Sequence, residues 1–99
     1  MQSLSQLEKG TVYLIHLDKL YGNQLHYLGW SSTNSLAQRI RRHRLNEGAR
    51  FLRCVNEAKI GWRVVRIWPG MTTVDERKMK KSNQLKRLCP VCNEVSGNE

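Results

Sequence analysis

The chain has 99 residues, 39% hydrophobic and 25% charged, which suits one soluble domain with a modest core rather than two. Seventeen Lys and Arg against eight Asp and Glu leave a net charge of +9, a field that draws polyanions. No run reaches the ~18 apolar residues of a membrane span, residues 1–9 lack the apolar centre of a signal peptide, and three cysteines argue against a disulfide framework, so the cytoplasm is the expected compartment.

Residues 1–9 read as a lead-in with little fixed structure. Residues 11–17, Thr-Val-Tyr-Leu-Ile-His-Leu, are rich in strand formers. Period two puts Tyr13, Ile15 and Leu17 on one face and Val12, Leu14 and His16 on the other. Gly22-Asn23 marks a hairpin loop, and residues 24–28 return as a second strand. Tyr13 and Tyr27 therefore belong to neighbouring strands.

A helix is expected from Ser35, where Ser35 and Gln38 form a capping-box pattern, to about Asn46, with Gly48 breaking it. Leu36 and Ile40 share its apolar stripe. Arg39 and His43, also four apart, share another. Residues 49–60 form a second helix with a stripe of Phe51, Cys54, Val55 and Ala58, and Gly61 suits its end. Residues 62–68, Trp-Arg-Val-Val-Arg-Ile-Trp, form a third strand closed by Pro69-Gly70. Thr73 and Glu76 make another capping-box pattern, which opens a helix to about Leu88, where Pro90 stops it. Residues 93–99 read as a disordered tail. The expected fold is a single α/β domain over residues 10–92, ordered β-β-α-α-β-α, with a small three-stranded sheet, antiparallel or mixed, flanked by helices.

The positive charge is concentrated. Arg39, Arg41, Arg42, Arg44, Arg50 and Arg53 form one group; Arg77, Lys78, Lys80, Lys81, Lys86 and Arg87 form a second. An anionic membrane would answer such a field, but nucleic acid is the favoured partner. Arg39 and His43, held beside a strand end that carries Tyr27, could grip a phosphate. On the last helix Glu76, Lys80 and Asn83 fall at i, i+4 and i+7 and line one face. A lone carboxylate among cations can hold Mg²⁺, which completes its shell with water and phosphate. The same glutamate is equally explained as a capping-box residue or as the surface partner of Lys80. Strand tyrosines are ordinarily packing residues. Cys89-Pro-Val-Cys92 supplies two of the four ligands of a structural zinc site. Cys54, His16 and His26 are not spaced to complete it, so the reading is packed cysteines rather than zinc.

The pieces Thr-Val-Tyr13, Tyr27-Leu-Gly29, Arg39-x-x-x-His43 and Glu76 occur in the order of the GIY-YIG nuclease pattern, and the chain resembles a small stand-alone member of that family over roughly residues 10–92. The family includes nucleases of excision repair, mobile-element homing and restriction. Val12 and Leu28 stand where the pattern has isoleucine and keep a strand residue, while Thr11 replaces a glycine. Tyr27 and Arg39 lie twelve positions apart, a longer spacing that a turn at residues 30–34 would absorb. The family's asparagine after the glutamate has two candidates, Asn83 and Asn93, of which Asn83 shares the Glu76 face.

The resemblance implies a metal-dependent DNA endonuclease with catalytic Tyr13, Tyr27, Arg39, His43 and Glu76. Glu76 would hold one Mg²⁺ or Mn²⁺ and Arg39 would face the developing phosphate charge. Tyr13 would take a proton from water, Tyr27 would orient water or phosphate, and His43 would relay a proton or bond Tyr13. Gly29 would let the chain turn close to the site. Arg41, Arg42, Arg44, Lys80, Lys81 and Asn83 would track the DNA backbone, Trp30 could stack on a base, and a partner protein or homodimer could direct the cut. The alternatives are a catalytically silent DNA-binding module of the same fold and a basic scaffold acting through a protein partner.

Overall fold

The computed structural model describes residues 8–82 and 85–92. The expected tail, Asn83, Asn93 and most of the lead-in lie outside the described residues. Strand β1 (Gly10–Tyr21) pairs antiparallel with both β2 (Gln24–Ser32) and β3 (Trp62–Met71), giving the open sheet order β2-β1-β3. Helices α1 (Leu36–Arg44) and α2 (Arg50–Glu57) connect β2 to β3, and α3 (Thr73–Ser82) and α4 (Leu85–Leu88) follow. No helix among the described residues is long and apolar enough to cross a membrane.

β1 is the centre of the molecule because both of its faces are apolar. Tyr13, Ile15 and Leu17 pack with Leu52, Val55, Ile60 and Trp62, with Leu36, Ile40 and Phe51 against them. Val12 and Leu14 pack on the opposite face with Leu28 and Cys89, beside Met79, Leu85 and Leu88. A central strand buried on both sides reads as a continuous apolar run. The register slips between Leu14 and Ile15, which face Arg66 and Val64, a bulge whose extra residue lets Trp62 and Trp68, an even number of positions apart, pack into opposite cores.

All three strands run past their expected ends. β2 extends to Ser32, so Trp30 lies in a strand and not in a turn. β3 passes through Pro69-Gly70 to Met71; it is an edge strand, where a proline's missing N–H costs no ladder bond. The helix ends also differ. Ser35 occupies the N-cap position of α1 without a side-chain bond. α1 closes on Asn46, whose φ is 64°, with Asn46 N–H bonding the His43 carbonyl and Glu47 N–H the Arg42 carbonyl. α2 closes likewise on Lys59, φ 61°, with Lys59 bonding Asn56 and Ile60 bonding Val55. These are Schellman ends, with the left-handed residue supplied by Asn46 and Lys59 instead of Gly48 and Gly61. Ile60 follows as the buried apolar residue that such an end favours. Ala58, placed in the apolar stripe of α2 on periodicity, is exposed at its C-cap, while Leu52 is buried.

At the start of α3 the box forms one residue earlier than expected. The Thr72 N–H donates to Asp75 Oδ2 at 2.9 Å, and the Asp75 N–H donates to Thr72 Oγ1 at 3.2 Å. The Thr72 bond holds the Asp75 carboxyl below its usual range. Glu76 is thereby released from capping.

Candidate functional site

β1, β2 and α1 bring Tyr13, Tyr27 and His43 together. Tyr27 sits diagonal to Tyr13 on the sheet, because Tyr13 faces Gly29 and Ile15 faces Tyr27. The Tyr13 and Tyr27 ring centroids are 6.4 Å apart, and His43 lies 6.0 Å from one and 5.9 Å from the other. His43 Nε2 is 2.8 Å from Tyr13 Oη. Tyr13 has no exposed surface and His43 is 1% exposed.

Two glycines make this contact possible. A Cβ on Gly29 would lie 2.4 Å from both Cζ and Oη of Tyr13, so the tyrosine ring lies against the glycine directly across the hairpin. Close approach, and not a turn, is the reason for glycine at this position. A Cβ on Gly48 would lie 2.0 Å from His43 Nδ1. The neighbouring Ala49 N–H donates to that nitrogen at 3.2 Å.

The Ala49 bond assigns the histidine tautomer. Nδ1 is the acceptor, so the hydrogen of a neutral ring is on Nε2, which donates to Tyr13 Oη. Burial, reinforced by the charge of Arg39, pushes the His43 pKa down, which keeps the ring neutral. Tyr13 is pushed up to about 12, chiefly by burial, against the hydrogen bond and charge of Arg39, with Tyr27 and Glu76 adding to the rise. Burial also raises Tyr27, opposed by Arg39 and aided by Glu76. Arg39 and Glu76 therefore both reach the tyrosine pair electrostatically, with opposite sign.

Arg39 is exposed on α1. It lines a cavity of about 250 Å³ with Arg42, Gln38, Ser35, Ser32 and Trp30, a polar recess of the size and charge that suits a phosphate. Glu76 meets Lys80 Nζ at 3.1 Å, and the same ammonium stands 5.8 Å from the centre of the Tyr27 ring. Among the sequence candidates for backbone tracking, Arg41, Arg42 and Lys81 are exposed. Arg44 holds structure: its guanidinium lies 3.6 Å over the Trp62 ring and donates to the Trp62 carbonyl at 2.8 Å. Trp30 is tied down as well, with Nε1 donating to the Met71 carbonyl at 2.9 Å.

Spacing gave no hint of Asn56. Its Nδ2 donates to the His43 carbonyl and to Asn46 Oδ1, both at 2.8 Å, and its Oδ1 accepts from Trp62 Nε1 at 2.8 Å. One side chain thus fixes the end of α1 that carries His43 against α2 and β3. The structure also overturns the expectation that His16 and His26 are not placed to join Cys89 and Cys92. The hairpin pairs His16 with His26, and Cys89 and Cys92 come up beside them on the face of the sheet opposite Tyr13.

Searches against protein-family models, curated proteins and solved structures return no match to this chain.

Proposed function

We propose that this protein is a metal-dependent DNA endonuclease of the GIY-YIG type. The observation that carries the reading is the 2.8 Å contact between Tyr13 Oη and a neutral His43, made within the electrostatic reach of Arg39 and Glu76. Proton transfer, anion binding and a hard oxygen ligand are then available at one place, drawn from β1, α1 and α3.

In this reading Tyr13 Oη is the proton-transfer atom. His43 Nε2–H and the Arg39 guanidinium both donate toward it and favour its anionic form. The hydroxyl's own hydrogen is used in neither bond and is the one available for transfer. Arg39 and Arg42 seat the phosphate in the recess on α1, and Tyr27 orients it. His43 acts by donating a hydrogen bond; with Nδ1 held by Ala49 it has no free lone pair to take the Tyr13 proton. The donor set suits a hard divalent ion: Glu76 offers one carboxylate, and Mg²⁺ keeps water and phosphate oxygens for the rest. When bound there, Mg²⁺ or Mn²⁺ would supply charge neutralisation at the phosphate. Lys80, now paired with Glu76, would be freed to meet the DNA backbone beside Lys81.

A second reading, a catalytically silent DNA-binding module, is favoured by the full burial of Tyr13 and by the Lys80 pairing of Glu76. Plasmid nicking with Mg²⁺ or Mn²⁺ separates the two. Glu76→Ala removes only an i,i+4 pair worth ~0–1 kcal/mol, so the variant folds. Nicking by the wild type that vanishes in the variant supports the endonuclease. Salt-sensitive DNA binding without nicking by either supports the module.

A further inference from the structure

We propose that His16, His26, Cys89 and Cys92 form a zinc site that clamps the C-terminal segment onto the β1–β2 hairpin. His16 and His26 are partners across the hairpin. Cys89 and Cys92 come from a C-x-x-C that follows α4. The ligand atoms of all four lie within 4.8 Å of one another.

The distances match those of a zinc tetrahedron. With Zn–N of 2.0–2.1 Å and Zn–S of 2.3 Å, nitrogen pairs should stand ~3.3–3.4 Å apart and nitrogen–sulfur pairs ~3.5–3.6 Å. His16 Nδ1 and His26 Nε2 are 3.4 Å apart. Cys89 Sγ is 3.4 Å and Cys92 Sγ 3.9 Å from His16 Nδ1, and Cys92 Sγ is 3.5 Å from His26 Nε2. His16 Nδ1 therefore faces three donor-capable atoms at once, although one ring nitrogen carries at most one hydrogen. A single cation at the centre satisfies all four atoms together. Two thiolates and two neutral imidazoles also balance the ion's charge, which suits a place where Cys89 has no exposed surface. The set of two sulfurs and two nitrogens selects zinc over the hard ions that Glu76 would take.

The site has structural work to do. None of the residues of α4 (Leu85–Leu88) is fully buried, so its own side chains anchor it weakly. Cys89 is the one residue after β3, among those described, that is fully buried in the second core. Helical backbone resumes at Pro90, a favoured first helical position, and this turn brings Cys92 back beside Cys89. The ion would close a loop of over seventy residues between His16 and Cys89 and hold α4 over Val12, Leu14 and Leu28. It would lie behind the sheet from Tyr13, since His26 and Tyr27 are consecutive and point to opposite faces.

The test is metal analysis of protein purified under reducing conditions, on the wild type and on Cys89→Ser, Cys92→Ser and Cys54→Ser. Cys54 lies by Tyr21, away from the cluster, and serves as the control. About one zinc per chain is expected in wild type and Cys54→Ser, with at least tenfold weaker zinc retention in the other two. Should those two fail to fold, Co²⁺-substituted wild type gives the answer: thiolate-to-cobalt charge transfer with tetrahedral d–d bands is expected, together with a melting temperature that falls on chelation and recovers with Zn²⁺. Wild type that takes up no zinc, zinc retained in full by Cys89→Ser and Cys92→Ser, or cobalt bound without thiolate charge transfer would each overturn the proposal.

Discussion

Gly29→Ala is the sharpest perturbation of the site that leaves every polar group in place. The added Cβ would lie 2.4 Å from Tyr13 Cζ and Oη, where a relaxed contact needs ~3.5 Å. The Tyr13 ring must therefore retreat by ~1 Å. It has no empty space to enter, because the ring is fully buried among Ile15, Leu52 and Val55, none of which is exposed. Movement of that size also stretches the 2.8 Å bond to His43 Nε2. Overpacking of this kind costs ~1–3 kcal/mol, which for a chain of this size is a melting-point drop of roughly 5–15 °C. Displacing a proton-transfer atom by ~1 Å should cost ~10²-fold in any nicking rate. Gly22→Ala calibrates the result: φ there is 61° and nothing lies within 4 Å, so its cost is only the ~1 kcal/mol of left-handed backbone. Thermal melts followed by circular dichroism decide it. A Gly29→Ala protein that melts at or above Gly22→Ala would refute the claim that Tyr13 is seated on this glycine.

Two further outcomes follow from the ionisations. Because burial and Arg39 lower the His43 pKa, the unfolded chain binds its proton first as pH falls from about 6.5. Stability from this group is full above that pH and is lost as pH drops toward the folded value, by up to ~1.4 kcal/mol per pH unit. Urea unfolding at pH 5 to 8 should show a shallower pH slope in His43→Gln than in wild type, and equal slopes would contradict the assignment. Tyr13, pushed up to about 12, is anionic in roughly one molecule in 10⁴ at pH 8. If its phenolate is the base, the nicking rate should climb about tenfold per pH unit from pH 7 to 9, and Tyr13→Phe should lose ~10²–10⁴ of it. A flat profile, or near-full activity in Tyr13→Phe, would remove Tyr13 from proton transfer.

What the sequence determined by itself is local. Alternation placed Tyr13 on the face of Ile15 and Leu17, Gly22-Asn23 marked the hairpin, and i,i+4 spacing put Leu36 with Ile40 and Arg39 with His43, because strand and helix periods act over a few residues. The element order as far as α3 and the three-stranded sheet were legible from the same signals, whereas the single last helix expected to Leu88 is described as α3 and α4, and Pro90 opens a further helical turn instead of ending one. Element ends were less so, since Asn46 and Lys59 adopt left-handed backbone that glycine would be expected to supply, and Thr72–Asp75 and Thr73–Glu76 are competing boxes that differ by one position.

The tertiary structure alone decided three things, each a contact that no helix or strand period relates. It seated Tyr13 on Gly29 and His43 on Gly48, where the missing Cβ matters only because a particular ring arrives from elsewhere. It fixed the His43 tautomer through the Ala49 N–H, which is available only once α1 has closed and α2 has begun. And it joined His16 and His26 to a C-x-x-C more than sixty residues beyond. Sequence spacing says what one helix or strand can present on a face; only the packing of α4 against the hairpin brings these four side chains to a common point.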